Sequence, residues 1–274
     1  MIKKRFISML VLLAAVATGA MAQTTYKVSV KEGTEDANKW EIAPAEATIA
    51  GVAAGTTVTA TYSGAKKVKS VKAKKKAAAV RTAAEATAED IGKLIGADGN
   101  IYHDAAAATA ASTTAVAKIV YVGSDNGEDA PYNHGLALAL SDANGGNDCE
   151  WSTSSTKIHT YNPINATSFA SESGLQYNDA THNSDTYPAF KAAIANNGTA
   201  APTGCSSWFL ASGYQWKKMI GAAGLSDLGL EEYEYYWSST ERSDSKAFYF
   251  NSNTGGWANN YKDLVYYVRA CLAF

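Results

Sequence analysis

The 274-residue sequence lacks most of the patterns by which catalytic and metal sites are recognised. It has four histidines, and no two of them have the spacing of metal-binding histidines. It has no Gly-x-Ser-x-Gly nucleophile elbow, no P-loop and no glycine-rich turn that opens a helix after a strand. We interpret His134, which precedes a leucine-rich segment, as a structural residue. We therefore expect no cofactor, no bound metal and no enzymatic activity.

The sequence also lacks an excess of positive charge and a long apolar run. Its 24 basic and 26 acidic residues give a net charge of −2. A general nucleic-acid-binding protein has a basic face, so we expect no nucleic-acid partner. No segment after residue 22 is long and apolar enough for a membrane span, which needs about 20 residues.

The N-terminus has the order of a secretory signal. Lys3, Lys4 and Arg5 precede a short apolar run at residues 10–16, and Ala20-Met21-Ala22 is a small-x-small cleavage site. We predict that residues 1–22 are a signal peptide and that the protein works at the cell surface, on the outer membrane or outside the cell, with the periplasm as an alternative. An uncut membrane anchor is the other interpretation, although the apolar run is short for one.

Cysteine is scarce, with three residues in the whole chain. In an oxidising compartment two could pair and leave one over. Cys149 and Cys205 lie in polar, turn-rich stretches, whereas Cys271 lies in an apolar run. We predict a Cys149–Cys205 disulfide and a buried free thiol at Cys271, although sequence does not fix the connectivity.

Changes in composition divide the chain. Residues 23–72 alternate apolar and polar side chains, which predicts a small all-β module. Residues 73–89 are rich in alanine and lysine and are interpreted as a linker, with an electrostatic tether to anionic envelope polymers as the alternative. Residues 90–274 mix helical and strand patterns, and their last strands end at the C-terminus, which predicts an α+β domain.

Several elements of this domain can be placed. An Asp98-Gly99 turn predicts a hairpin, a helix is expected at residues 188–196, and Ser212 with Gln215 forms a capping box before another helix. Residues 247–251 predict a strand in which Phe248 and Phe250 face the core. Residues 257–263 are expected to be irregular, and residues 265–274 to form one closing strand.

Four blocks then occur in order: YNHGLALAL at residues 132–140, WFLAS with Gln215-Trp216, YWSSTE at residues 236–241 and YVRACLAF at residues 267–274. Together they resemble the C-type-lectin-like domain of the Lcl C-terminal type, found in bacterial surface adhesins. They resemble still more the exported variable proteins of diversity-generating retroelements, which end in a similar Val-Arg-Ala segment. The resemblance covers roughly residues 90–274.

The resemblance implies a binding protein in which a fixed scaffold displays a possibly diversified surface near the C-terminus. Trp237 and Arg269 would belong to the scaffold. The stretch between them is rich in Asn, Ser, Asp, Tyr and Gly, as adaptable paratopes are. The predicted partner is a protein or glycan at a cell or phage surface. The predicted ligand-binding residues are Arg242, Asp244, Lys246, Tyr249, Asn251, Trp257, Asn259, Asn260, Tyr261, Asp263 and Tyr266.

Two alternatives come from other classes. The chain could be a structural fimbrial or surface-layer subunit, with the β module and linker as assembly parts. It could also be an enzyme of the formylglycine-generating fold, although Cys271 does not resemble a reactive thiol because it lies in an apolar strand. The Glu-Pro-Asn, Gln-Pro-Asp and Trp-Asn-Asp motifs of calcium-dependent lectins are absent from the sequence, which argues against calcium-dependent sugar binding.

Overall fold

The structure, a computed structural model, describes residues 80–160 and 162–274 in full and five short strands before residue 80. The chain divides into two compact units, Met1–Ala79 and Val80–Phe274. No helix within these described residues is long and apolar enough to cross a bilayer.

The first unit contains two antiparallel sheets. β1 (Ala14–Val16) pairs with β2 (Thr25–Lys27). The strands β3 (Trp40–Ala43), β4 (Thr57–Tyr62) and β5 (Val71–Lys74) form a second sheet with β4 at its centre. Of these strands, β2, β3 and β4 lie within residues 23–72, whereas β5 ends at Lys74 in the predicted linker. Apart from β1, the predicted signal peptide lies outside the described residues and stays a prediction.

The second unit begins ten residues before the predicted domain start, at Val80. Two 3-10 helices, Ala83–Glu85 and Ala88–Asp90, occupy residues that the composition assigned to the linker. Ala83 and Ala86 are buried against the second unit's core, and His134 Nε2 lies 2.8 Å from the Ala86 carbonyl oxygen. These apolar contacts attach residues 80–89 to the second unit.

The second unit mixes three helices with antiparallel strands and is predominantly β. In chain order its elements are β6 (Leu94–Gly96), β7 (Ile101–Tyr102), α1 (Ala105–Ala110), β8 (Ala115–Val122), β9 (Gly135–Ala139), β10 (Cys149–Glu150), α2 (Pro188–Ala195), β11 (Phe209–Leu210), α3 (Gly213–Ala223), β12 (Tyr235–Glu241), β13 (Lys246–Asn251), β14 (Trp257–Tyr261), β15 (Val265–Tyr266) and β16 (Ala270–Ala273).

A six-stranded antiparallel sheet in the order β11-β16-β9-β8-β6-β7 is the centre of this unit. Successive side chains of a strand face opposite sides, and the core accordingly has two parts. Ala137 and Leu272 belong to the part that includes Phe190 of α2. Leu138 and Cys271 belong to the part that includes Trp216 of α3. The sheet is therefore buried on both faces, which explains why β9 and β16 are apolar throughout.

The capping pattern before α3 is confirmed. Ser212 Oγ accepts a hydrogen bond from the Gln215 backbone N–H at 3.2 Å, and Gln215 Oε1 accepts one from the Ser212 N–H at 2.9 Å. Gly224 ends the helix with φ of 84°, a value that favours glycine. The predicted hairpin around Asp98-Gly99 and the helix after Tyr187 are also present.

Two predictions about the C-terminal segment were wrong. Residues 257–263 are not irregular, because Trp257–Tyr261 pairs with β13 as β14. Residues 265–274 form two strands in different sheets, since β15 pairs with β10 while β16 pairs with β9 and β11. Neither error could be avoided by local pattern alone, because strand pairing with distant residues decides both.

Candidate ligand-binding surface

A three-stranded sheet in the order β12-β13-β14 carries most of the predicted ligand-binding residues. Residues directly opposite each other on antiparallel strands share a face. Trp237 is opposite Tyr249, and Tyr236 is opposite Phe250, which in turn is opposite Trp257. Tyr249 and Trp257 therefore lie on opposite faces of the sheet, and the predicted residues do not form one surface.

Three tyrosines, Tyr235, Tyr249 and Tyr266, form a cluster on one face; we call it the tyrosine cluster. The ring centroids of Tyr249 and Tyr266 are 4.5 Å apart, and Tyr235 lies 5.3 Å from each. Tyr235 is 41% exposed, and the other two are half-buried. Asn260 Nδ2 donates to the Tyr266 hydroxyl at 2.9 Å. Burial, with the neighbouring Tyr266, raises the pKa of Tyr249 to about 12, so its hydroxyl stays protonated at neutral pH.

The buried indole of Trp237 packs against two rings of the tyrosine cluster. Its ring lies 4.5 Å from that of Tyr266 and 6.0 Å from that of Tyr249. The Trp237 Nε1–H donates to the Cys149 carbonyl oxygen at 3.0 Å, which fixes the orientation of the indole. A rigid aromatic base of this kind reduces the conformational entropy that the tyrosines would lose on binding.

The opposite face of the sheet is packed into the protein. Phe248 and Phe250 are buried, as predicted. Trp257 is half-buried, with its ring 5.4 Å from Phe250 and 5.0 Å from Phe169. Trp257 is therefore a packing residue in this structure, and its expected display on a loop is wrong because it lies in β14.

The remaining predicted residues are dispersed. The Lys246 Nζ lies 4.7 Å from the centre of the Tyr261 ring, and both residues are on the same face of the sheet as Phe248. Asn259, which is opposite Phe248, lies on that face too. Asn251 Oδ1 accepts hydrogen bonds from the backbone of the following turn. Arg242 is half-buried, whereas Asp244 and Asp263 are exposed near the other end of β13. Of the predicted set, Tyr249, Asn260 and Tyr266 meet in the tyrosine cluster, which Tyr235 joins although the sequence did not predict it.

The predicted scaffold residues are buried and internally bonded. Trp237 is fully buried and Arg269 is 3% exposed. The Arg269 Nε donates to Asp142 Oδ1 at 2.6 Å, and the Tyr236 hydroxyl donates to Asp142 Oδ2 at 2.9 Å. One carboxylate thus ties the segment just before β16 to β12, and Arg269 and Tyr236 both lie in the blocks that carry the family resemblance.

A buried ion pair between Glu241 and Lys262 holds a long loop against the sheet. The Glu241 carboxylate also accepts hydrogen bonds from the backbone N–H groups of Ile158 and His159, at 3.1 and 2.8 Å. The Lys262 Nζ donates to the Thr156 carbonyl oxygen at 3.0 Å. The sequence did not predict this pair, because Lys262 lies between two exposed residues and nothing in the local pattern indicates that it is buried.

Two further titratable groups belong to the same loop and are buried. Burial raises the pKa of Glu172 to about 7, although the hydroxyls of Thr240 and Tyr177 donate to its carboxylate at 2.6 and 2.9 Å. Burial lowers the pKa of His159 to about 3, and its ring stacks on that of Tyr177 at 3.7 Å. Burial therefore shifts both groups toward their neutral forms.

All three cysteines are free thiols in the structure. The predicted Cys149–Cys205 disulfide is not formed, whereas the buried free thiol at Cys271 is as expected. Cys149 is buried in β10, and Cys205 packs against the same core from the segment before β11, so each contributes apolar contacts. Burial raises the pKa of both thiols to about 12, which keeps them protonated and weakly nucleophilic.

Comparisons with known proteins give a distant structural likeness. No protein-family model and no curated protein matches the chain. Among solved structures, the chain is similar to a fimbrial protein from Bacteroides ovatus, with a TM-score of 0.48 and 15% sequence identity. The similarity covers 80% of this chain and 57% of that protein, so the chain spans little more than half the length of its structural neighbour.

Proposed function

We propose that the protein is an exported, non-enzymatic binding protein of the cell surface, with a C-type-lectin-like domain that contacts its ligand through the tyrosine cluster. The observation that carries the proposal is the cluster itself: three partly exposed tyrosines in mutual ring contact on a buried tryptophan. Tyrosine provides rigid contact area together with a hydrogen-bonding hydroxyl, and it is enriched in binding surfaces.

The surrounding scaffold supports a role in display. The Asp142–Arg269 and Glu241–Lys262 pairs are both buried, and they hold in place the segment before β16 and the turn after β14. Networks of this kind rigidify their neighbourhood when every member is satisfied. The resemblance of the same blocks to lectin-like adhesins supports export and surface location as part of the proposal.

The test is a binding screen of the full chain against immobilised bacterial cells and a glycan array, followed by two matched variants. Tyr235→Ser removes an exposed tyrosine of the cluster, and Tyr261→Ser removes a 53% exposed tyrosine from the other face of the sheet. We expect Tyr235→Ser to weaken binding by roughly ten-fold or more, as truncation of an aromatic contact residue does. Tyr261→Ser should bind like the unmodified chain, and both variants should keep its melting temperature.

The opposite result would contradict the proposal. Loss of binding in Tyr261→Ser with full binding in Tyr235→Ser would place the ligand on the face that carries Lys246. Full binding in both variants would mean that neither face of the small sheet is the contact surface.

A further inference from the structure

A cleft of about 620 Å³ lies away from the tyrosine cluster, beside the Arg269–Asp142 pair. Its lining comes from the segments 140–146 and 229–234 and includes Asn197, Tyr267 and Arg269. Tyr266 and Tyr267 are consecutive, and the Tyr266 side chain belongs to the tyrosine cluster, so the cleft and the cluster occupy different sides of this segment.

The lining of the cleft carries an uncompensated negative charge. Glu231, Glu232 and Glu234 all line it, and none of them forms an ion pair within the described part of the chain. Arg269 is the one basic lining residue, and its guanidinium is already bonded to Asp142 and to the carbonyl oxygens of Ala139 and Gly229.

The wider surroundings reinforce this charge. Residues 80–274 contain 21 acidic and 11 basic side chains. The negative charge of Glu234, with those of Asp148, Asp142 and Glu231, raises the pKa of Tyr267, which lines the cleft. A concave, acidic site attracts cations and repels anionic polymers and membranes.

Apolar surface accompanies the carboxylates. Leu140 is 44% exposed at the wall of the cleft, and the Tyr267 ring is half-exposed. Lysine and arginine side chains combine an aliphatic stem with a cationic head, so they fit a wall that offers both apolar surface and carboxylates. The face of a tyrosine ring also attracts a cation.

The arrangement of the carboxylates favours a cationic side chain over a metal ion as the ligand of the cleft. Nowhere in residues 80–160 and 162–274 do three or more His, Cys, Asp or Glu side chains converge so that they could hold a metal. Glu231, Glu232 and Glu234 therefore offer separate carboxylates, which suit an extended ligand with several charges.

We infer that this cleft binds a lysine- or arginine-bearing segment of a partner protein. The glutamates contact the cationic heads, while Leu140 and Tyr267 contact the aliphatic stems. The site is separate from the tyrosine cluster, so it offers a second point of attachment, and two attachment points strengthen binding when one partner spans both.

The probe for a direct test is a fluorescent ten-residue peptide of alternating lysine and alanine, measured by anisotropy against the full chain at low and high salt. The variant Glu231→Gln/Glu232→Gln removes two exposed charges from the cleft. The matched control Glu89→Gln/Asp129→Asn removes two exposed charges elsewhere on the same unit. All four positions are exposed, so the folds should be unaffected, which thermal melting checks.

We expect saturable binding that weakens as salt rises, because salt screens exposed charges. The cleft variant should bind roughly ten-fold more weakly and the control less than about two-fold more weakly. Equal losses in the two variants would mean that net charge alone attracts the peptide and would overturn the inference. Absence of saturable binding at low salt, or equal affinity for a glutamate–alanine peptide, would also overturn it.

Discussion

The buried pair of Glu241 and Lys262 permits a demanding test of the scaffold. Glu241 is fully buried and Lys262 is 2% exposed. The variant Glu241→Gln keeps the side-chain shape but leaves the ammonium group without its counter-charge. Removal of one partner of a buried pair costs about 3–5 kcal/mol of unfolding free energy. For a unit of this size each kcal/mol lowers the melting temperature by about 2–4 °C, so we expect a decrease of roughly 6–20 °C at pH 7.

The pH dependence of this cost has a definite sign. Burial already lowers the pKa of Lys262 in spite of Glu241, and loss of the carboxylate lowers it further. The folded variant then favours neutral Lys262, whereas the unfolded chain keeps its lysine protonated up to about pH 10. The loss of unfolding free energy in the variant is therefore largest near neutral pH and decreases as the pH rises toward about 10.

The assay is urea denaturation followed by circular dichroism at pH 7 and pH 9.5. Lys262→Met and the double variant complete a mutant cycle, in which the double variant should recover part of the loss because no buried charge is left unpaired. The control is Lys191→Met at the exposed pair with Asp185, where we expect less than about 1 kcal/mol. A cost below 1 kcal/mol for Glu241→Gln, or a double variant that loses the sum of the single losses, would refute the reasoning.

Three further predictions concern stability and thiol chemistry. Burial raises the pKa of Glu172 to about 7 in the folded protein, so its contribution to stability is fully present below about pH 4.3 and is lost as the pH rises to about 7. Glu172→Gln should therefore reduce the pH dependence of the unfolding free energy over that range. An unchanged pH dependence would contradict this prediction. Trp237→Ala should cost about 3–5 kcal/mol in chemical denaturation, as truncation of buried aromatics does, whereas near-native stability would show that the indole is not part of the core. Alkylation of unfolded, unreduced protein should modify Cys149, Cys205 and Cys271, and mass spectrometry that finds only one modified thiol would restore the predicted disulfide.

Local signals in the sequence were sufficient for part of the fold. The Ser212–Gln215 capping box is a short-range interaction, and the helix begins where the pattern places it. Phe248 and Phe250 are two residues apart on a strand, so alternation alone puts both in the core. These elements depend on residues within one or two turns or on a period of two, and tertiary contacts do not change them.

The candidate site depended on contacts that sequence does not contain. Composition marked the stretch between Trp237 and Arg269 as a candidate contact surface, but it could not say which side chains share a face, since that requires the register of β13 with its neighbours. Tyr235 was missed because it precedes the stretch with paratope composition and reaches the cluster only through strand pairing. Lys262 was missed because charged residues are rarely buried, and its partner lies on another strand.

The position of β16 between β9 and β11 affects how the chain can fold during its synthesis. Leu138 faces Cys271 and Phe209 faces the same residue from the other side, so one late segment joins two earlier ones. Until residues 270–273 arrive, β9 has an unpaired apolar edge, and such edges attract other strands. Contacts between residues so distant in sequence also form slowly. The nascent chain therefore needs protection from aggregation for as long as residues 270–273 have not been added to it.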